Sequence, residues 1–270
     1  MDMNEIFGAA DEKPLEHLAA DGGFVGIFRR IGCVGDSLAS GEFESLDGDK
    51  RSYHDMFDFS WGQYLARYAG TTAKNFSRGG MTAKEYCESF ADANGFWDPA
   101  LACDAYIIAL GANDLFGLKQ EIGSVDDIDL NDWEKNKDTF AGWYGRIIQR
   151  LKTIQPKARF FFVTFPCDSR SNDEDRAKRE AHAALMYDLA KLFPFSYVID
   201  LYHYGPDYSD PRFKEAFFLL GHMSPAGYLL SAKFIGSYMD YIIRHNFRDF
   251  VQTGFIGSPF YMENLDEKKE

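Results

Sequence analysis

The sequence predicts an α/β fold of three layers, α/β/α, around a mainly parallel sheet of five strands. Short apolar runs rich in β-branched and aromatic residues recur along the chain, and between them lie stretches with helical spacing of apolar side chains. Alternation of this kind, joined by right-handed crossovers, gives a parallel sheet covered by helices on both faces. The turns that end the strands carry Gly together with Ser, Asp or Asn. They fall at the C-terminal strand edge, where open α/β sheets bind ligands.

In chain order, residues 1–29 read as an N-terminal arm with a short helix around 14–20, turning Gly-rich and aromatic before the first strand. Residues 31–34, Ile-Gly-Cys-Val, form that strand, and Gly35 ends it in a tight turn that delivers Asp36 and Ser37. An acidic, turn-rich loop is expected over 41–58, with Glu42, Glu44, Asp47 and Asp49 as a solvated group close enough to Ser37 to rim a pocket. Trp61, Tyr64, Leu65 and Tyr68 follow helix spacing, and 71–76 is the second strand. Thr82 with Glu85 is a capping-box pattern opening a helix to about Phe90.

The clearest buried strand is 105–110, followed by a loop rich in Asp and Gly. From Trp133 to Ile154 apolar residues mark a long amphipathic helix that Gln155-Pro156 ends. Residues 159–165 form the fourth strand, and Ser171 with Glu174 opens the helix behind it as a second capping box. Residues 195–201 form the fifth. Ser224 as N-cap and Pro225 at the first helical position start a last helix that runs to about His245. The tail 247–270 is aromatic at first and ends in a charged stretch expected to be disordered. Flavodoxin-like strand order then places a switch point beside the first strand.

The chain has 270 residues, 46% hydrophobic and 16% aromatic. That suits one domain over 30–246, flanked by the arm 1–29 and the tail 247–270. A net charge of -13 argues against nucleic-acid or anionic-membrane binding, because no surplus of cations is there to neutralise phosphates. No apolar run reaches the length of a membrane span. Cys33, Cys87, Cys103 and Cys167 are scattered, without CxxC or zinc-type Cys/His spacing. Buried free thiols, a reducing compartment, and neither metal nor cofactor are expected. The N-terminus lacks the basic start and apolar stretch of a secretory signal, so the expectation is cytoplasmic.

Four turns carry the candidate chemistry: Gly35-Asp36-Ser37, the segment from Asn75 to Gly80, Gly111-Ala112-Asn113-Asp114, and Gly221-His222 before the last helix. Ester hydrolysis needs a nucleophile, a base, and donors aimed at a developing oxyanion. Ser37, His222, the Gly80 N–H and the Asn113 amide supply one of each. Ser37 could instead simply cap the helix that follows it. The ordered set over about 30–245 resembles the SGNH, or GDSL-type, lipase/acylhydrolase family, whose four blocks carry Ser, Gly, Asn and His. Gly35-Asp36-Ser37-Leu38 matches the first block, 75–80 the second, Gly111-Ala112-Asn113-Asp114 the third and His222 the last. The resemblance implies a serine esterase with Ser37 as nucleophile, His222 as base, and Ser37 N–H, Gly80 N–H and Asn113 Nδ2 as the oxyanion hole. It also implies small acyl esters as substrates, O-acetyl groups of carbohydrates among them.

One position departs from that pattern. The family's aspartate three residues before the histidine is Leu219 here. A backbone carbonyl near 219–221 could hold the His222 ring, or a carboxylate from elsewhere could, with Asp200 at the end of the fifth strand as a candidate. Asp200-Leu-Tyr-His203 has the family's acid–histidine spacing, but Gly205 and Pro206 follow it rather than a helix start, which favours His222. The missing acid also admits a catalytically silent relative. A nucleotide- or flavin-binding flavodoxin-like module is the other alternative. Against it, the first turn lacks a phosphate-binding glycine pattern and leads into Glu42 and Glu44. His17, His54, His182 and His245 read as structural or surface histidines, Asp36 as a brace for the turn, and Asp114 as a cap for the following segment. Trp61, Phe116 and Tyr228 are near enough to the motif turns to line a substrate site.

Overall fold

The five apolar runs become strands β1 (Arg30–Gly35), β4 (Thr72–Ser77), β5 (Ala105–Ala109), β6 (Arg159–Val163) and β7 (Ser196–Ile199), in a computed structural model that describes residues 3–265. They pair in the order β4-β1-β5-β6-β7, with every pair parallel. This is the flavodoxin-like order, with the switch point between β1 and β5. Residue alternation splits the sheet between two cores. Ile107 and Phe161 face one side, and Ile108, Phe160 and Phe162 face the other. Helices α1 (Trp61–Ala69) and α4 (Pro225–His245) cover the first face, and α2 (Phe140–Ile154) and α3 (Asp173–Leu192) cover the second. The result is the three-layer α/β/α architecture.

Local chemistry explains where the helices begin. The Ser224 side chain accepts from Gly227 N with Pro225 following, as the sequence indicated, and the Ser60 side chain accepts from Gln63 N at the start of α1. Two starts differ from expectation. α2 begins at Phe140, where the Thr139 side chain accepts from Gly142 N, and Trp133–Lys135 is a separate 3-10 turn. α3 is capped by Asn172, whose side chain accepts from Asp175 N, rather than by Ser171. At α3 the short polar side chain next to the one chosen from the pattern is the cap, whereas before α2 the apolar spacing runs on through a separate turn. Thr82 does cap Glu85 N, but the Glu85 carboxylate pairs with Arg78, and the turn widens into a π-helix over Tyr86–Phe90.

The arm holds no helix at 14–20; its helical turns are Asn4–Phe7 and the 3-10 segment Gly23–Ile27. The arm is tied across α4 instead. Arg244 holds Glu12 with two bonds of 2.7 Å, and Asp240 accepts from Phe24 N at 2.7 Å. The tail extends the same face, with Phe247 edge-on to Phe7 and Phe24. The charged end, residues 266–270, lies outside the described residues.

The largest departure is at 41–58. The expected loop is a hairpin of β2 (Glu42–Asp47) and β3 (Lys50–Asp55), paired antiparallel with Asp47 opposite Lys50. Gly48 takes the positive φ, 59°, that a two-residue hairpin turn needs. A two-residue hairpin of β8 (Phe218–Leu219) and β9 (His222–Met223) leads into α4.

Packing of α1 on β1 depends on Gly62, where a Cβ would come within 2.4 Å of Cys33 Sγ. Gly62→Ala is therefore expected to destabilise the fold by about 1–3 kcal/mol. Denaturant melts comparing it with a serine at an exposed control position provide the check.

Candidate active site

The first motif turn is built by close approach. At Gly35 a Cβ would lie 2.5 Å from Ala39 Cβ and 2.8 Å from Ala109 O, so only glycine lets β1 turn so sharply into the one-turn helix Ser37–Ser40. Asp36, not Ser37, is the cap, accepting from Leu38 N at 3.2 Å. Ser37 is half-buried, and among the described residues its hydroxyl has no hydrogen-bond partner. Burial, together with the Asp114 charge, pushes the Asp36 carboxyl up to about 7.

Gly80, φ 72°, is exposed and faces open space. Its N–H meets no acceptor among the described residues. The neighbouring Gly79 N–H is already taken by Asp55, with both oxygens at 3.1 Å. Asn113 opens the π-turn Asn113–Gly117 after β5, and its Nδ2 donates to Met81 O at 3.0 Å, leaving the second amide hydrogen unassigned. Asp114 reaches back to the same loop, accepting from Ala83 N at 2.9 Å, so it caps the helix after Gly80 rather than the segment after itself. The third turn is steadied from behind by His182, whose Nε2 lies 3.3 Å from Leu110 O while its ring stacks on Phe165. Burial holds His182 down to about 3, which keeps it neutral.

His222 sits on β9, and both of its ring nitrogens meet carboxylates from the β2–β3 hairpin. Nδ1 lies 2.6 Å from Glu44 Oε1, and Nε2 lies 3.0 Å from Glu42 Oε1. Gly221 makes room for this, since a Cβ there would come within 2.4 Å of Glu44 Oε1. The other Glu44 oxygen pairs with Arg51 at 2.9 Å. Neither partner suggested by the sequence holds the ring. Asp200 is engaged by His203 Nδ1 at 2.8 Å, Tyr187 Oη at 2.9 Å and His203 N at 3.0 Å, and no backbone carbonyl near 219–221 takes Nδ1. Leu219, at the usual acid position, is 49% exposed. The solvated reading of Glu42 and Glu44 is corrected as well: both are buried, at 9% and 6% exposure, whereas Asp47 and Asp49 are exposed.

Tyr228 joins this cluster to the first turn. Its hydroxyl donates to Glu42 O at 2.7 Å and lies 3.5 Å from Ser37 O. Among the described residues no hydrogen bond links Ser37 Oγ to His222; Nε2 faces Glu42 instead. Beside the turns lies a mainly apolar cavity of about 250 Å³, lined by Asp36, Leu38, Trp61, Ala112, Phe116 and Met223 among others. Sequence neighbours of Ser37, Asn113 and His222 all contribute to that lining. The signal that would have found Glu42 and Glu44 is the Gly48-Asp49 turn, with flanking residues in alternation that puts both glutamates on one face.

Burial raises the Asp114 carboxyl to about 6. The native state therefore binds a proton that the unfolded chain, titrating near 4, has released, and this contribution to stability falls as pH rises from about 4 to 6. Asp114→Asn is expected to flatten the dependence of Tm on pH across that window relative to wild type, as thermal melts at half-unit steps would read.

The profile of the GDSL-like Lipase/Acylhydrolase family matches residues 33–230. No curated protein matches the sequence. Among solved structures, a protein from Lactobacillus plantarum is 18% identical with a TM-score of 0.57, covering 79% of this chain and 97% of its own. A family two carbohydrate esterase from Clostridium thermocellum, solved with cellohexaose, is 17% identical with a TM-score of 0.55, covering 87% and 67%. A family 3 carbohydrate esterase from the same organism is also 17% identical, with a TM-score of 0.50 and coverage of 80% and 96%. These likenesses carry the fold. With its four motif turns at one sheet edge and the family profile spanning most of the sheet, the chain belongs to the GDSL-like lipase/acylhydrolase family.

Proposed function

We propose that this protein is a serine esterase that cleaves small acyl esters, with O-acetyl groups of carbohydrates as the leading substrate class. The carrying observation is the contact of His222 Nδ1 with the buried Glu44 carboxylate. A histidine held in this way presents Nε2 as a base and has a partner for the charge it gains. Ser37 Oγ then attacks the ester carbonyl and gives its proton to Nε2. Ser37 N–H, Gly80 N–H and the second Asn113 amide hydrogen stabilise the oxyanion. Nε2 returns the proton to the departing alcohol, and water releases the acyl group by the same steps in reverse. The carbohydrate part rests on the family resemblance and on the carbohydrate esterases of like fold. The apolar cavity next to the turns gives the acyl group somewhere to sit.

An acyl-ester panel of graded chain length, run with fluorophosphonate labelling, tests this reading. Ser37→Ala is expected to lose the label and several orders of magnitude in turnover. Retention of near-wild-type hydrolysis would remove Ser37 from the mechanism, and a wild type that neither turns over nor labels would mark a silent relative.

Glu44→Gln keeps the shape of the side chain but lets its amide donate to Nδ1, favouring the wrong tautomer. A fall in kcat of about 10²–10⁴ is expected, partly rescued by Glu44→Asp. A large loss in Tm with unchanged kcat would instead make Glu44 a structural carboxylate.

A further inference from the structure

Glu42 occupies the nitrogen that the proposed mechanism needs free. Its Oε1 lies 3.0 Å from His222 Nε2, while Glu44 Oε1 lies 2.6 Å from Nδ1. The Nδ1 contact is a hydrogen bond and the Nε2 contact an ion-pair approach, and neither is favourable without a proton on one of its two atoms. A neutral imidazole carries one such proton, so the second must sit either on the other ring nitrogen or on the Glu42 carboxyl. Glu42 is not a passing surface group. Its side chain is 11% exposed, and its other oxygen fills the space at Gly79, where a Cβ would lie 1.8 Å away. Its own carbonyl is fixed by Tyr228.

We propose that Glu42 is a further positioning residue, one that acts through the base His222. It holds a second proton on His222 Nε2, so that the resting site is an imidazolium clamped between two carboxylates, and that proton must leave before Ser37 can use the base. This rests on the esterase reading above. In the first step Nε2–H passes its proton to solvent and the Glu42 carboxylate swings off the ring. Nε2 then accepts the Ser37 proton as Oγ bonds to the ester carbon, and returns it to the leaving alcohol oxygen as the ester bond breaks. Water then adds to the acyl carbon, with Nε2 taking its proton and passing it to Ser37 Oγ as the acyl bond breaks. The carboxylic acid leaves, and Nε2 regains a proton from solvent as Glu42 returns, so the resting site is restored.

The charges around the clamp agree with it. On the hairpin, Arg51 pairs with Glu44, Asp55 and His54 act on Glu42, and the Tyr53 ring stands edge-on to His222. From the β1 turn Asp36 faces the same cluster, and from α4 comes the Tyr228 hydroxyl. Burial raises the Glu42 carboxyl above its usual range, with the Asp55 and Glu44 charges adding and His222 opposing. Burial alone would favour a proton on Glu42 itself, and the His222 ring opposes that; spectra of the ring separate a proton on Nε2 from one on the carboxyl.

Two readouts test the clamp on the intact chain. Nitrogen-15 spectra of the His222 ring at neutral pH are expected to show two ring N–H groups in wild type. In Glu42→Ala only the Nδ1–H tautomer should remain. In the same variant, and in the isosteric Glu42→Gln should the alanine fold poorly, the acid limb of kcat/KM should move to lower pH by about one unit, because a negative charge next to the base is gone. A ring with the same protonation in wild type and variants overturns the proposal, and so does an unmoved acid limb. The ring spectra do not depend on turnover. A wild type that fails to label at Ser37 therefore strikes the esterase reading, while the spectra still decide whether Glu42 holds the proton.

Discussion

The contact between Glu44 and His222 joins residues 178 positions apart and ties together the parts of the chain that the sheet alone would leave separate. Glu44 lies on a hairpin inserted after the first strand, and His222 on a two-residue strand before the last helix. Two carboxylates buried next to one imidazole are costly without a counter-charge, and Arg51 brings one to Glu44. The hairpin, the glycine at 221 and the start of the last helix must therefore all be in register for the cluster to form.

The rest of the site is braced by polar contacts beneath the motif turns. Asp36 caps the turn that presents Ser37, and Asp114 and Asn113 bind the loop after β4 to the turn after β5. His182 steadies the carbonyl that precedes that turn. Each brace is a short polar contact in a buried setting, where an unmade bond costs more than in water. Precision at the C-terminal edge thus comes from the layer beneath it. The parallel sheet with two apolar faces is what allows such contacts to be dry.

A second acid–histidine pair, Asp200 with His203, shows how little spacing alone decides. It has the separation expected of an acid and its base and a hydrogen bond of 2.8 Å. Yet it stands at the end of the fifth strand, with Glu180 and Tyr187 as its other partners. The pair that faces the motif turns has its acid on a different element altogether.

The sequence by itself determined the five strands, their alternation with helices and the cap of the last helix, because apolar periodicity and capping chemistry act over a few residues. It also marked Ser37, Gly80 and Asn113 in turns that end strands, and His222 ahead of the last helix, since such turns and caps are local. The cap of α3 was missed by one residue, where neighbouring polar side chains compete for the same N–H groups, and the start of α2 lies beyond a separate 3-10 turn that carries the same apolar spacing. What only the tertiary structure decided is the environment of the histidine. Glu42 and Glu44 look like members of a solvated run because their burial depends on β9 and on glycines 79 and 221, which lie elsewhere in the chain. Local pattern marks which residues turn the chain. Only packing between distant elements decides which carboxylates lose their water and meet a ring nitrogen.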